Sequence, residues 1–281
     1  MPPSSPPSSQ PGGPPPASEA PARLVPAGGQ GGRDIARALP EETPVALSFN
    51  GVTHAVMLAT PADLEDFGRG FALGEAIVQT PAEILDLQAF AHPDGLEVAM
   101  TLTARRAAAL AERRRFLAGP TGCGLCGVDS LAQANRAVPR VAGGRRFAEA
   151  ALRRGLAALP LRQELNRQTG AVHAAGWIDS EGSLVALRED VGRHNALDKL
   201  IGALAQAGAD FAQGALLLTS RCSVELVMKA ATVGMPLVVA VSAPTARAVR
   251  LARQSGLTLV GLARADSMLV FAGGERLEAA P

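Results

Sequence analysis

Apolar and polar positions fall into short blocks whose periods predict strands alternating with helices. Residues 45–49 and 52–60 are apolar runs flanking Asn50-Gly51. Both of those residues tolerate positive φ, so the pattern predicts a tight hairpin. Thr60-Pro61-Ala62-Asp63 then has the form of a helix start: a hydroxyl cap, proline at the first helical position and an acid in the first turn. Leu64, Phe67, Phe71 and Leu73 give that helix an apolar face to about residue 78. A second strand pair is predicted at 84–91 and 96–103, joined by His92-Pro93-Asp94-Gly95, with an Ala/Arg-rich helix at 104–117. The first half reads ββα-ββα.

Residues 119–127 form a glycine-rich loop, followed by predicted helices at 128–137, 147–159 and 161–168. Strands are predicted at 172–178 and 184–189, joined by Asp179-Ser180-Glu181-Gly182. A helix over 193–207 carries Leu197, Leu200, Ile201 and Leu204 at i, i+3, i+4 and i+7. Strand 215–220, helix 223–233, strand 237–242, helix 245–255 and strand 257–262 follow, and 268–271 adds an edge strand. Strands apolar throughout and alternating with helices predict a mostly parallel sheet with helices on both faces. The expected organisation is a disordered tail over 1–40, an N-terminal α+β subdomain over 41–118 and an α/β domain over 119–281.

Composition sharpens the ends and narrows the function. Residues 1–26 hold 10 Pro, 5 Ser and 2 Gly, too few apolar groups for a core, hence the expectation of disorder. The 27 basic and 26 acidic residues nearly cancel, which argues against a nucleic-acid coat or a polybasic membrane surface. Only Lys199 and Lys229 are lysines; the other basic residues are arginines, read as a feature of composition. The arginine clusters at 105–106, 113–115, 145–146 and 153–154 are read as solvated helix faces. Aromatics make up 3% and tyrosine is absent, so base-stacking platforms are not expected. No apolar run is long enough for a membrane helix, and no secretory signal is expected. Three cysteines argue against a disulfide framework and fit a reducing cytoplasm.

Cys123-Gly124-Leu125-Cys126 is the strongest chemical feature. The glycines on either side allow close approach, and a helix predicted from residue 128 favours a thiolate, the form that sulfur and redox chemistry use. A zinc site using Cys123, Cys126, His173 and Cys222 is an alternative, and a disulfide reductase is another. Zinc deaminases place a glutamate two residues after the histidine, whereas His173 is followed by Ala174 and Ala175, and here the cysteine pair precedes the histidine. A CxxC reductase opens a helix after a strand, whereas here a helix and Gly119-Pro120-Thr121-Gly122 come first. The second constellation is Glu189-Asp190-Val191-Gly192-Arg193-His194-Asn195, where a strand ends and a helix begins. Such carboxyl ends bind ligands in α/β sheets, and helix N-termini suit phosphates. Ser220 to Ser223, Ser242 to Thr245 with Arg247, and the stretch after the last strand with Arg264 and Asp266 repeat the pattern, so four strand ends are expected to line one polar cleft.

These motifs together resemble the formate dehydrogenase accessory sulfur carriers, the FdhD/NarQ family, over roughly residues 43–272. The resemblance rests on Thr60-Pro61-Ala62-Asp63-Leu64-Glu65-Asp66-Phe67, on Thr121-Gly122 with the cysteine pair and Gly127, on Thr169-Gly170-Ala171-Val172-His173-Ala174-Ala175, on the Glu189 to Asn195 block continued through Ala196-Leu197-Asp198-Lys199, on Ser220-Arg221-Cys222-Ser223-Val224-Glu225 and on Pro244-Thr245. It implies a cytidine-deaminase-like α/β fold without deaminase zinc chemistry. It further implies a cytoplasmic sulfurtransferase that takes persulfide sulfur from a cysteine desulfurase and passes it to a bis-molybdopterin guanine dinucleotide of molybdenum or tungsten bound for formate dehydrogenase, with a homodimeric assembly. Cys123 is the implied persulfide site, with Cys126 assisting. Leu262, Ala263, Arg264, Ala265, Asp266 and Ser267 are the implied cofactor-binding stretch. There Leu262 departs from the family, in which an aromatic is common. Asp190, Arg193, His194, Ser220, Ser242 and Thr245 are the further cofactor contacts expected at the strand ends, and no metal ligand is assigned.

Overall fold

The computed structural model describes residues 13–27, 31–117 and 138–278. Strands β1 (Ala17–Leu24) and β2 (Arg33–Pro40) pair antiparallel from Ala17 with Pro40 to Leu24 with Arg33. This corrects the expectation of disorder up to residue 40. Composition counts side chains, and those of β1 and β2 are mostly exposed; the hairpin instead satisfies its backbone groups. Glu41 N–H donates to Pro16 O at 2.8 Å, and Arg37 Nη2 donates to Thr169 O at 3.2 Å.

β3 (Thr43–Phe49) and β4 (Val52–Ala59) form the expected hairpin, with Asn50 and Gly51 at φ of 51° and 77°. Helix α1 runs from Leu64 to Gly74 and starts later than predicted, with Asp63 as its cap at φ 53°. β5 (Ile84–His92), β6 (Gly95–Leu102) and α2 (Ala104–Leu117) complete the first half. The four strands lie in the order β4-β3-β6-β5, with β3 and β6 parallel.

Glu83, just before β5, ties α2 to this sheet. Its carboxylate accepts Gln79 N–H at 2.6 Å and Thr80 N–H, and pairs with Arg105 at 3.2 Å and Arg106 at 2.8 Å. Burial alone would raise its pKa, but these donors outweigh burial and hold it at about 2. A depressed folded-state pKa contributes stability that is present above the unfolded value near 4.5 and is lost as pH falls through about 2. Glu83→Gln should therefore destabilise the protein at pH 7 and flatten the fall in stability between pH 4.5 and 2. Urea midpoints measured against pH check this, and parallel wild-type and variant profiles would contradict it.

The second half holds β7 (Phe147–Ala148), α3 (Glu149–Arg162), α4 (Glu164–Thr169), β8 (His173–Ile178), β9 (Leu184–Asp190), α5 (Arg193–Gln206), β10 (Ala215–Leu218), α6 (Val224–Thr232), β11 (Leu237–Ala240), α7 (Ala246–Ser255), β12 (Thr258–Gly261), β13 (Leu269–Ala272) and β14 (Leu277–Glu278). Six of these strands form one sheet in the order β13-β12-β11-β10-β8-β9. It is mixed and not mostly parallel. β10–β11 and β11–β12 are parallel, whereas β8–β9, β8–β10 and β12–β13 are antiparallel. The reason is connectivity: a parallel return needs a long crossover, usually a helix, and β8 and β9 are joined by the five residues 179–183, with a turn closed by Gly182 N–H to Asp179 O.

One apolar core runs from Val45, Leu47 and Phe49 of β3 through Phe67 and Phe71 of α1 to Leu197, Leu200, Ile201 and Leu204 of α5 and on to Leu216 and Val238. It is thus shared across the expected boundary at residue 118. α1 and α5 cross at backbone contact: a Cβ on Gly70 would lie 1.7 Å from Asp198 O, and one on Gly202 would lie 1.9 Å from Asp66 O. The opposite face of the sheet is covered by α3 through Leu152 and Leu159. Among the described residues no helix is long and apolar enough to cross a membrane.

Candidate functional site at the strand edge

Although the sheet is mixed, β9 runs parallel to β10, β11 and β12, because two antiparallel pairings through β8 restore the direction. The carboxyl ends of these four strands therefore share one edge with His173, which opens β8 opposite Asp190. The loops beyond them are joined by backbone bonds: Val241 N–H to Leu218 O at 2.9 Å, Thr245 N–H to Cys222 O at 3.0 Å, Leu262 N–H to Ser242 O at 3.2 Å and Ala263 N–H to Ala240 O at 3.1 Å. A Cβ on Gly261 would lie 2.6 Å from Pro244 Cδ, so those two loops approach closely.

Asp190, expected to face the ligand, is sealed at 0% exposure. Its Oδ2 lies 2.6 Å from Lys199 Nζ and accepts Thr60 N–H at 3.0 Å. Its Oδ1 accepts Gly192 N–H at 2.7 Å and Asn195 Nδ2 at 3.0 Å. Lys199 Nζ also donates to Thr60 O at 2.9 Å, Val191 N–H to Thr60 Oγ1 at 3.1 Å and Asn195 Nδ2 to Leu58 O at 2.8 Å. This knot fastens the end of β4 to the β9–α5 turn. It also explains the late start of α1, because the polar groups of Thr60 are taken by residues some 130 positions away.

Ser220 and Ala263 are likewise buried, Ser220 donating to Arg221 O at 3.1 Å. Thr245 caps α7 by accepting Ala248 N–H at 3.2 Å. Arg193, His194, Ser242 and Leu262 are half-buried, while Arg264, Ala265, Asp266 and Ser267 are exposed. Leu262 sits at φ 49°, a left-handed conformation costly for a side chain of this kind.

The edge is basic. Burial lowers the His173 pKa, and Arg193 and Arg221 lower it further against the pull of Asp190. Arg193 Nε is buried and has no hydrogen-bond partner. α5 and α6 both open here without a side-chain cap bond. Arg193 with its unpaired Nε, Arg221 and the N-terminus of α5 favour an anion here, whereas the first turn of α6 already carries the Glu225 carboxylate.

Sequence reasoning missed Glu225. Its carboxylate Oε2 accepts Ser223 Oγ at 2.8 Å and lies 3.2 Å from His194 Nε2. The His194 hydrogen bond leads in holding Glu225 at about 2. Proximity in the Ser220 to Glu225 motif was the available signal, but the partner comes from α5.

Burial pushes the Cys222 thiol up to about 12, so it offers no thiolate to a metal or to sulfur. The described residues hold no group of three or more His, Cys, Asp or Glu side chains that could hold a metal ion. Cys123 and Cys126 lie outside the described residues, as does the predicted helix over 128–137.

The sheet and the helices on its two faces define a mixed α/β protein. Residues 40–278 match the model of the FdhD/NarQ family, and the chain belongs to that family. It is 50% identical over 238 residues to the sulfur carrier protein FdhD of Cupriavidus necator, covering 85% of this chain and 83% of that protein. It is 49% identical over 237 residues to the protein of that name from Xanthomonas campestris, covering 84% of each. A solved structure from Desulfotalea psychrophila, assigned as a formate dehydrogenase accessory protein, superposes with a TM-score of 0.73 at 25% identity, covering 94% of this chain and 100% of that one.

Proposed function

We propose that this sulfur carrier of formate dehydrogenase maturation works with two sites. At the first, the Cys123 thiolate attacks the terminal sulfur of a cysteine desulfurase persulfide, displacing the desulfurase thiolate; Cys126 assists onward transfer by attacking the inner sulfur of the Cys123 persulfide, which closes a Cys123–Cys126 disulfide and releases the outer sulfur as sulfide. At the second, the strand edge holds the substrate, a bis-molybdopterin guanine dinucleotide of molybdenum or tungsten, whose metal receives the sulfur before delivery to formate dehydrogenase. On this reading the protein is a cytoplasmic sulfurtransferase, acts as a homodimer and uses a deaminase-like fold for cofactor binding. The organisation into an N-terminal α+β part and a cofactor-binding α/β part is read the same way.

The observation that carries the second site is the basic strand edge with the unpaired Arg193 Nε. The substrate is polyanionic, so charge-assisted bonds from Arg193, Arg221 and Arg264 and the N-terminus of α5 suit its phosphates. Asp266 is the partner proposed for the guanine edge. Calorimetric titration with GDP and ADP tests this. GDP should bind more tightly than ADP, and Arg264→Ala should weaken GDP by roughly 1–3 kcal/mol. Equal affinities, or no binding at millimolar nucleotide, would remove the support for a guanine-dinucleotide site.

A further inference from the structure

The stretch from Leu262 to Ser267 has little apolar anchorage of its own. Ala263 is its buried side chain, and the four residues after it are exposed. Its shape is set by polar contacts: Leu262 N–H to Ser242 O, Arg264 N–H to Ser267 O at 2.8 Å, and a guanidinium reaching in from the opposite face of the sheet. That guanidinium belongs to Arg153 of α3. Its Nη1 donates to Ala265 O at 2.7 Å and lies 3.5 Å from Arg264 O, while its Nη2 lies 3.5 Å from Glu149 Oε2 one turn back. Together with Leu262 at φ 49°, these contacts hold the loop in one shape against a local backbone cost.

We infer that Arg153 is a positioning residue for the nucleotide-binding loop, an inference that rests on the strand-edge reading above. Stability alone gives little reason for the contact. Carbonyls on an exposed loop can bond to water, and a surface guanidinium contributes little to folding. Its consequence is orientation: two successive carbonyls are turned towards one planar donor, which fixes the backbone carrying Arg264 and Asp266. Lysine keeps the charge and can donate to the carbonyls, but it is shorter and lacks the second nitrogen that lies against Glu149 Oε2.

The test compares wild type, Arg153→Ala, Arg153→Lys and Arg154→Ala as full-length proteins. Arg154 bonds Glu181 O at 2.6 Å and not the loop, so it controls for loss of charge on α3. GDP affinity is read by calorimetry and folding by the thermal midpoint. Arg153→Ala should weaken GDP about tenfold with the midpoint nearly unchanged, Arg153→Lys should recover part of the loss, and Arg154→Ala should bind as wild type does. If wild type binds GDP and Arg153→Ala binds it equally, the inference fails while the strand-edge reading stands. If wild type fails to bind GDP, the strand-edge reading itself fails. A weakened variant with a large drop in midpoint would assign Arg153 a folding role and overturn the inference.

Discussion

Lys199→Met should lower the free energy of unfolding by about 3–5 kcal/mol, a large share of the ~5–15 kcal/mol typical of a folded domain. Lys199 is 0% exposed, and its ammonium contacts both Asp190 Oδ2 and Thr60 O. Methionine fills the volume but leaves the Asp190 carboxylate charged and sealed from water without its cation. The remaining donors, Thr60 N–H, Gly192 N–H and Asn195 Nδ2, are neutral and cannot replace a full charge. Adding Asp190→Asn to Lys199→Met should recover part of the loss, because no unpaired charge then stays buried. Urea unfolding of the two single variants and the double variant measures this. A cost under about 1 kcal/mol for Lys199→Met would contradict the structural role given to the knot.

The same knot shows what the sequence could and could not carry. Local signals were legible. Asn50-Gly51 needs left-handed φ at both positions, so the hairpin followed from two residues. The spacing of Leu197, Leu200, Ile201 and Leu204 identified the buried face of α5. The strand-end motifs around Asp190, Ser220 and Ser242 do share one edge of the sheet. Long-range competition was not legible. Thr60-Pro61 has the chemistry of a helix cap, but Asp190 and Lys199 take the polar groups of Thr60 and the helix begins at Leu64. Asp190 reads as ligand-facing until its cation is found beneath it.

The scarcity of lysine was a signal read only as composition. Both lysines are buried in ion pairs, Lys199 with Asp190 and Lys229 with Asp198 and Glu75. In a chain that otherwise uses arginine, lysine stands where a compact charge on a slim stem fits between packed helices. The β1–β2 hairpin escaped notice for the opposite reason: backbone pairing between exposed strands leaves little trace in composition. The mixed sheet was recoverable from the five-residue connection between β8 and β9, which cannot support a parallel pairing.

The most direct test of the account is where sulfur goes. The protein is incubated with a cysteine desulfurase and cysteine, and its intact mass is read before and after reduction. The account predicts a gain of about one sulfur atom, ~32 Da, that reductant removes, since a persulfide is opened by thiol exchange. Peptide mapping should place it on Cys123. Cys123→Ala should lose the gain and fail to support formate dehydrogenase maturation. Cys222→Ala should keep both, because that thiol is buried and held protonated, with a pKa of about 12. Full labelling and full maturation by Cys123→Ala, or sulfur found on Cys222, would contradict the central claim that this chain carries sulfur on Cys123.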